Sequence, residues 1–350
     1  MFEYIYIYVC VCAAKVNSLG TKMEKGYFWW SIFGLIALFG VTKGDDEGLR
    51  VGFYSKTCPS AERIVRNSVA KAVAKDPGQA AGIIRLYFHD CIVGGCDGSI
   101  LLDSIPGITS SFDIERHSPG NPLLRGFEII DDAKSKLESR CAETVSCSDI
   151  LAFAARDSVL ATGGFSYAVP AGRRDGRVSN GSAVFMDVPP ITPNMARLKQ
   201  HFESRGLSLK DMVALSGAHS IGITPCGAFS SRLYFFNGTV ETDPSLDPKF
   251  AAFLKTQCPK GKFDGTADLD NVTPNLLDVQ FYENLRRKMG VLSSDQAMED
   301  DPLTAATVRQ YRSSRSLWKA DFTAAMVKVG NMKVLTGSQG EIRKNCSALN

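Results

Sequence analysis

Between Arg85 and Ser99 the sequence reads RLYFHDCIVGGCDGS, which gathers a guanidinium, an imidazole, two carboxylates, two thiols and two hydroxyls. If this stretch is helical, Arg85 and His89 stand four apart on one face, with Phe88 bordering it. A fixed cation beside a titratable imidazole can relay a proton and stabilise the negative charge left behind. Cleaving a peroxide O–O bond makes those two demands. Taken alone, such an Arg/His pair is more often a solvated surface pair, so the residues that follow carry the weight. Asp90, Asp97 and Ser99 offer side-chain oxygens, and Val93 and Gly95 offer carbonyls. Positions 93, 95, 97 and 99 alternate, so an extended loop would aim them together as a hard-oxygen cage suited to Ca²⁺. Cys91 and Cys96 flank that loop closely enough to staple it. An acidic turn beside a disulfide is the plainer alternative, and it explains the combined spacing poorly.

A second histidine with chemical promise is His219, in MVALSGAHSIG. Small neighbours let a flat, bulky group approach, and a buried neutral imidazole makes a good axial ligand for haem iron. Its other ring nitrogen then needs an acceptor, for which Asp295 in LSSDQ is a candidate. A satisfied core histidine is the competing reading of His219 by itself.

These residues need rigid elements to hold them. Apolar spacing predicts helices over Ser60–Asp76, with Ser60 as N-cap, and over Arg125–Arg140. Another opens at Ser148 and stops at the Gly163-Gly164 pair. Further helices are expected near 194–206, 208–218, 247–257, 276–289 and 315–329, with a small hairpin in YAVPAGRRDGRVSNGS. Trp318 falls in an apolar helical pattern and is read as packing. The result is a mostly helical globule.

The chain has 350 residues, 44% apolar and 22% charged, with a formal net charge of +3. That is a globular composition without the basic excess of a nucleic-acid-binding surface. Near the N-terminus, GYFWWSIFGLIALFGV follows Lys22 and Lys25 and suits the core of a signal peptide better than a membrane span. Residues 1–22 are expected to be an upstream extension, 23–44 the signal peptide, and 45–350 the mature domain. Of ten cysteines, all but Cys10 and Cys12 lie in that domain. An even count behind a signal peptide reads as a disulfide framework. A zinc site is disfavoured by the lack of paired CxxC motifs and by only four histidines. Sequons at Asn180, Asn237, Asn271 and Asn345 agree with secretion. Asn180 and Asn237 are the expected glycan carriers.

From about Leu49 to Asn350 the chain resembles the secretory plant haem peroxidases, the class III peroxidases. GFYSKTCP, RLYFHDC, GCDGSILLD, RGFEIIDDAK, VSCSDILAFAARDSV, GRRDG, DMVALSGAHSIG, SSDQ and LTGSQGEIRKNC all fall in that family's order. The resemblance implies a mainly α, two-lobed helical haem peroxidase fold, with haem between the lobes and a minor β hairpin. It implies Arg85, His89 and Phe88 as the distal catalytic group, Asn121 as the partner of His89, His219 as haem ligand and Asp295 as its partner. A distal Ca²⁺ would use Asp90, Val93, Gly95, Asp97 and Ser99, with Glu115 acting through water. A proximal Ca²⁺ would use Ser220, Asp270, Thr273, Leu276 and Asp278; Ser220 stands where threonine is usual. Pro189 would offer its carbonyl to aromatic donors. The implied disulfides are Cys58–Cys141, Cys91–Cys96, Cys147–Cys346 and Cys226–Cys258, and Asp149 is expected to pair with Arg173. Phe165 and Tyr167 replace the family's usual proline and tryptophan, and Tyr87 and Ile92 vary the distal motif.

The expectation is therefore a secreted, monomeric enzyme of the cell wall or apoplast rather than the vacuole. It would carry one haem b and two Ca²⁺, with no nucleic-acid partner and no membrane attachment after signal cleavage. Its substrates would be H₂O₂ and small phenolic donors. A non-catalytic haem- or calcium-binding wall protein and a cysteine hydrolase are the rivals. The intact Arg85/His89/His219 set speaks against the first, and the absence of an expected free thiol against the second.

Overall fold

Several of the helices begin at a side chain that takes up an unpaired amide donor. The computed structural model describes residues 48–350. The expected upstream extension (1–22) and signal peptide (23–44) lie outside the described residues, as do Cys10 and Cys12. Thirteen α-helices are present among the described residues, beginning with α1 (Ala61–Lys75), α2 (Gly78–Ile92), α3 (Phe127–Arg140) and α4 (Cys147–Gly163). Next come α5 (Val184–Asp187), α6 (Met195–Glu203), α7 (Leu209–Ser216), α8 (Ser230–Tyr234) and α9 (Pro248–Gln257). The last four are α10 (Gln280–Arg286), α11 (Ser293–Asp300), α12 (Ala305–Ser313) and α13 (Arg315–Gly330).

Ser146 caps α4 by accepting from the Asp149 amide, and Gly164 closes it at φ 65°. Ser208 and Asp211 form a reciprocal capping box on α7, Asp247 caps α9 ahead of Pro248, and Ser314 caps α13. Ser60, expected to cap α1, makes no side-chain cap bond; its backbone is already helical.

The helices fall into two groups. α1, α2, α3 and α4 pack on one another, and α6, α7, α10, α11, α12 and α13 form the second set, joined to the first where α13 meets α2. A shared apolar core runs through both, and a smaller cluster around Phe229, Leu233 and Phe250 lies beneath α8 and α9. Trp318 is fully buried on α13, its indole N–H donating to the Ala214 carbonyl at 3.1 Å. It is a packing residue, as its pattern suggested.

All four disulfides pair as the resemblance implied: Cys58–Cys141, Cys91–Cys96, Cys147–Cys346 and Cys226–Cys258. Arg173 meets Asp149 at 2.7 Å, both side chains buried, and Tyr54 and the Gly172 amide donate to the same carboxylate. Such a fully bonded pair holds segments distant in sequence in one register.

The hairpin expected in residues 167–182 does not form. Ala171 bridges to Arg50, Arg174 to Leu335 and Asp175 to Glu341 instead. The two-stranded antiparallel sheet lies elsewhere, between β1 (Ile223–Pro225) and β2 (Thr266–Asp268). No helix among the described residues is long and apolar enough to cross a membrane.

Candidate active site

A cavity of about 410 Å³ opens between the two helix groups. α2 contributes Arg85, Phe88 and His89, and α7 contributes Met212 and Leu215; the 3₁₀ turn Gly217–Ser220 contributes His219, and α11 contributes Asp295 and Met298. Most of the wall is apolar, and the polar side chains are few and convergent, as in a pocket for an organic group.

His89 sits on the inner face of α2, one turn after Arg85. Its Nδ1 lies 2.6 Å from Asn121 Oδ1, and Asn121 Nδ2 donates to the Glu115 carbonyl at 2.8 Å. The second bond fixes which end of the amide faces the ring. His89 therefore carries its proton on Nδ1 and presents the Nε2 lone pair. Burial, and then the Arg85 cation, lower its pKa to about 3, while the Asn121 bond works in the opposite direction. Arg85 is lowered to about 10 by burial and still carries its charge at neutral pH; it donates to the Pro122 carbonyl at 2.6 Å. That anchor escaped the sequence reading, although Pro122 directly follows Asn121. Phe88 stacks on Phe202 with ring centroids 6.5 Å apart.

His219 is held differently. Its Nδ1 lies 3.0 and 3.1 Å from the two Asp295 oxygens, so it donates to a carboxylate. Burial alone would lower its pKa, but Asp295 outweighs burial and the net shift is upward. About 37% of the side chain is exposed, and it lines the cavity. The ring's remaining nitrogen is thus available to a bound group. Phe281 packs edge-on at 6.1 Å and limits ring rotation, a contact that sequence spacing did not signal. An imidazole oriented by a carboxylate and facing an apolar slot fits an axial ligand of haem iron.

The oxygen-rich loop after His89 is not extended; Gly94, Gly95 and Gly98 take positive φ values of 81°, 134° and 67°. Left-handed glycines coil it, so simple alternation does not describe it. The coil still gathers the donors. Asp90 accepts from the Gly98 and Ile100 amides, Asp97 accepts from the Ser99 amide, and the Ser99 hydroxyl donates to Glu115 at 3.3 Å. No hydrogen bond to the Val93 or Gly95 carbonyl is made among the described residues. Burial raises Asp90, Asp97 and Glu115, Glu115 to about 8, and mutual repulsion adds to Asp90 and Glu115. Buried carboxylates that repel one another, on a loop whose Val93 and Gly95 carbonyls accept no hydrogen bond among the described residues, are groups that a hard cation would satisfy.

The proximal residues also come together. The Ser220 hydroxyl donates to the Leu276 carbonyl at 2.9 Å and accepts from the Asp278 amide at 2.9 Å. Asp270 accepts from the Thr273 amide, and Thr273 Oγ1 reaches Asp270 and Asp278 at 3.4 Å each. Burial first, and then Asp270, raise Asp278. Among the described residues no three His, Cys, Asp or Glu side chains cluster as metal ligands. Both calcium readings therefore rest on mixed sets of carboxylates, carbonyls and hydroxyls. Pro189 lines the cavity, with Pro190 and Ile191 beside it.

A peroxidase family model matches residues 65–314. Peroxidase 5 of Vitis vinifera is 47% identical over 330 residues, covering 93% of this chain and 99% of its own. Peroxidase 1 of Zea mays is 48% identical over 309 residues, covering 86% of this chain and 83% of its own. Peroxidase N1 of Nicotiana tabacum is 44% identical over 321 residues, with 90% and 95% covered. Two differently held histidines on one apolar cavity and these likenesses point the same way: the chain belongs to the peroxidase family and groups with the class III haem peroxidases of plants, which act on H₂O₂.

Proposed function

We propose that this protein is a secreted haem peroxidase that reduces H₂O₂ while oxidising small phenolic donors, such as lignin precursors or other wall phenolics, by one-electron steps. This would make it part of hydrogen peroxide catabolism and the response to oxidative stress. The observation that carries the reading is the contrast across the cavity: His89 bonded to an amide and held neutral, His219 bonded to a carboxylate and raised.

His219 would hold one haem b per chain, and that group would supply the redox chemistry of the reaction. His89 Nε2 takes the proton of the nearer peroxide oxygen and returns it to the departing oxygen. Asn121 keeps the ring in the tautomer that permits this. Arg85, a fixed cation in a poorly solvated cavity, stabilises the negative charge on the departing oxygen. Two donor molecules each give one electron and one proton, so H₂O₂ leaves as two waters. Asp295, by accepting from Nδ1, would make His219 a stronger electron donor to the group it binds.

Asp90, Val93, Gly95, Asp97 and Ser99, with Glu115 beyond them, would hold one Ca²⁺, and Ser220, Asp270, Thr273, Leu276 and Asp278 a second. Each set abuts a cavity histidine in sequence, so each cation would stiffen one wall. Pro189 would accept from the donor hydroxyl at the cavity mouth. Asn180 and Asn237, both exposed, would carry glycans, and the enzyme would act as a monomer in the wall space after loss of its signal peptide.

The donor is a small phenol because a polymer needs a surface relay, and Trp318, the one tryptophan among the described residues, is fully buried. The test is turnover of guaiacol and coniferyl alcohol with H₂O₂, set against veratryl alcohol. Rapid oxidation of the phenols is expected. Efficient veratryl alcohol oxidation that Trp318→Phe abolishes would overturn the donor assignment.

A further inference from the structure

Two glycines in the first turns of α2 have no conformational need to be glycine, since neither Gly78 nor Gly82 takes a positive φ. Glycine weakens a helix, so a pair at i and i+4 on one face calls for a steric reason. The reason is Arg125. A Cβ at Gly82 would lie 2.6 Å from Arg125 Cγ and 3.2 Å from its Nε, and one at Gly78 would collide with Nη2. The arginine side chain lies in a groove that these two bare positions leave open.

That groove ends at the active-site cavity, whose wall includes both Gly82 and Arg125. Arg85 and Arg125 are the Arg or Lys side chains of that wall among the described residues. Arg85 is engaged by the Pro122 carbonyl beside His89. Arg125 has no hydrogen-bond partner among the described residues. Its nearest carboxylate, Asp76, stands 3.7 Å away and is already used by the Gly78 amide and the Gln79 side chain. The Arg125 side chain is 34% exposed, which places it at the cavity's edge rather than its floor. A positioned guanidinium with unused donors at the rim of an apolar slot is built for a carboxylate that must stay near water.

We propose that Arg125, laid across Gly78 and Gly82, is the carboxylate-binding group of the cavity edge. The inference rests on the haem reading above and deepens it. The carboxylate has two possible sources: a propionate of the bound porphyrin, or the acid group of a phenolic donor such as ferulate. One experiment separates them. Wild type, Arg125→Gln and Gly82→Ala are each loaded with haemin or with haemin dimethyl ester, whose carboxylates are masked. Porphyrin loss to excess apomyoglobin is followed by the Soret band. On the haemin forms, KM is measured for ferulate and for its neutral counterpart, coniferyl alcohol.

Gly82→Ala keeps the arginine but fills its groove, so both variants are expected to behave alike. A propionate partner predicts haemin loss roughly tenfold faster in both, with loss of the ester unchanged. A donor partner predicts a KM for ferulate raised roughly tenfold, with coniferyl alcohol unchanged. Either result supports the assignment. Unaltered values in both arms, or equal changes for both members of each pair, would overturn it. A wild type that takes up neither porphyrin would refute the haem reading itself, and this inference with it.

Discussion

His89 and His219 face the same cavity with the same side chain and opposite chemistry. The distal ring is bonded to a neutral amide and crowded by a cation, so it stays an uncharged base with a pKa of about 3. The proximal ring is bonded to a carboxylate that outweighs burial and draws the shift upward. Position in the cavity does not assign the roles. In the proposed reading the second partner of each ring does: Asn121 would make His89 a proton acceptor, and Asp295 would make His219 an electron-rich ligand.

The largest effect should come from the same substitution made on both sides. His219→Ala is expected to lose most haem on purification, whereas His89→Ala keeps it and retains a normal Soret band. In His89→Ala, stopped-flow measurement should show the reaction with H₂O₂ slowed by roughly 10²–10⁴-fold. Equal haem content in both variants, with equal rates, would erase the distinction.

Exchanging the partners sharpens it further. Asn121→Val should slow the peroxide step, and Asp295→Asn should raise the iron reduction potential, each with a change in activity of about 10–100-fold. Spectroelectrochemistry separates the two: Asn121→Val should leave the potential near that of the wild type. A shift of equal size in both would mean that the partners do not divide the work.

The pH dependence follows from the sign of the distal shift. If His89 works as the neutral base, as proposed, the peroxide rate should hold constant from neutrality downward and fall only as pH approaches about 3. Arg85 contributes to that depression, so Arg85→Leu should move the acid limb upward, toward the ordinary histidine range, as well as lowering the rate. A limb that stays in place would show that burial alone sets the base.

The distal stretch was legible because its chemistry is local: Arg85, His89, Asp90 and the loop through Ser99 occupy one helix and its exit. The proximal pair was less so. His219 and Asp295 lie 76 residues apart, and family resemblance rather than spacing joined them. The hairpin expectation failed for a related reason. GRRDG looks like a turn, but Arg173 and Asp175 are buried and satisfied by distant partners, including Asp149 and the Cys147, Ser148 and Arg343 amides. Sequence patterning also passed over α11 and α12, whose polar stretches SSDQAMED and AATVRQYRS bury only a few residues each. The helix expected over 276–289 begins later, because Leu276 and Asp278 belong to the proximal oxygen-rich loop and the helix starts at Gln280.

The smallest expected effect is on the scaffold. Metal that binds only the folded state stabilises it by mass action, so prolonged EDTA treatment should lower Tm by several degrees and broaden the Soret band. Elemental analysis should find two calcium ions before treatment. No metal at either stage, with an unchanged Tm, would contradict both calcium sites.

The most direct test of the division between the two histidines is one spectrum taken before and after one equivalent of H₂O₂ on wild type, His89→Ala and His219→Ala. The account predicts a Soret band that shifts within milliseconds in the wild type, a band that is present but shifts far more slowly in His89→Ala, and little or no band in His219→Ala. A wild-type protein without a Soret band, or a His89→Ala band that shifts as fast as the wild type's, would contradict it.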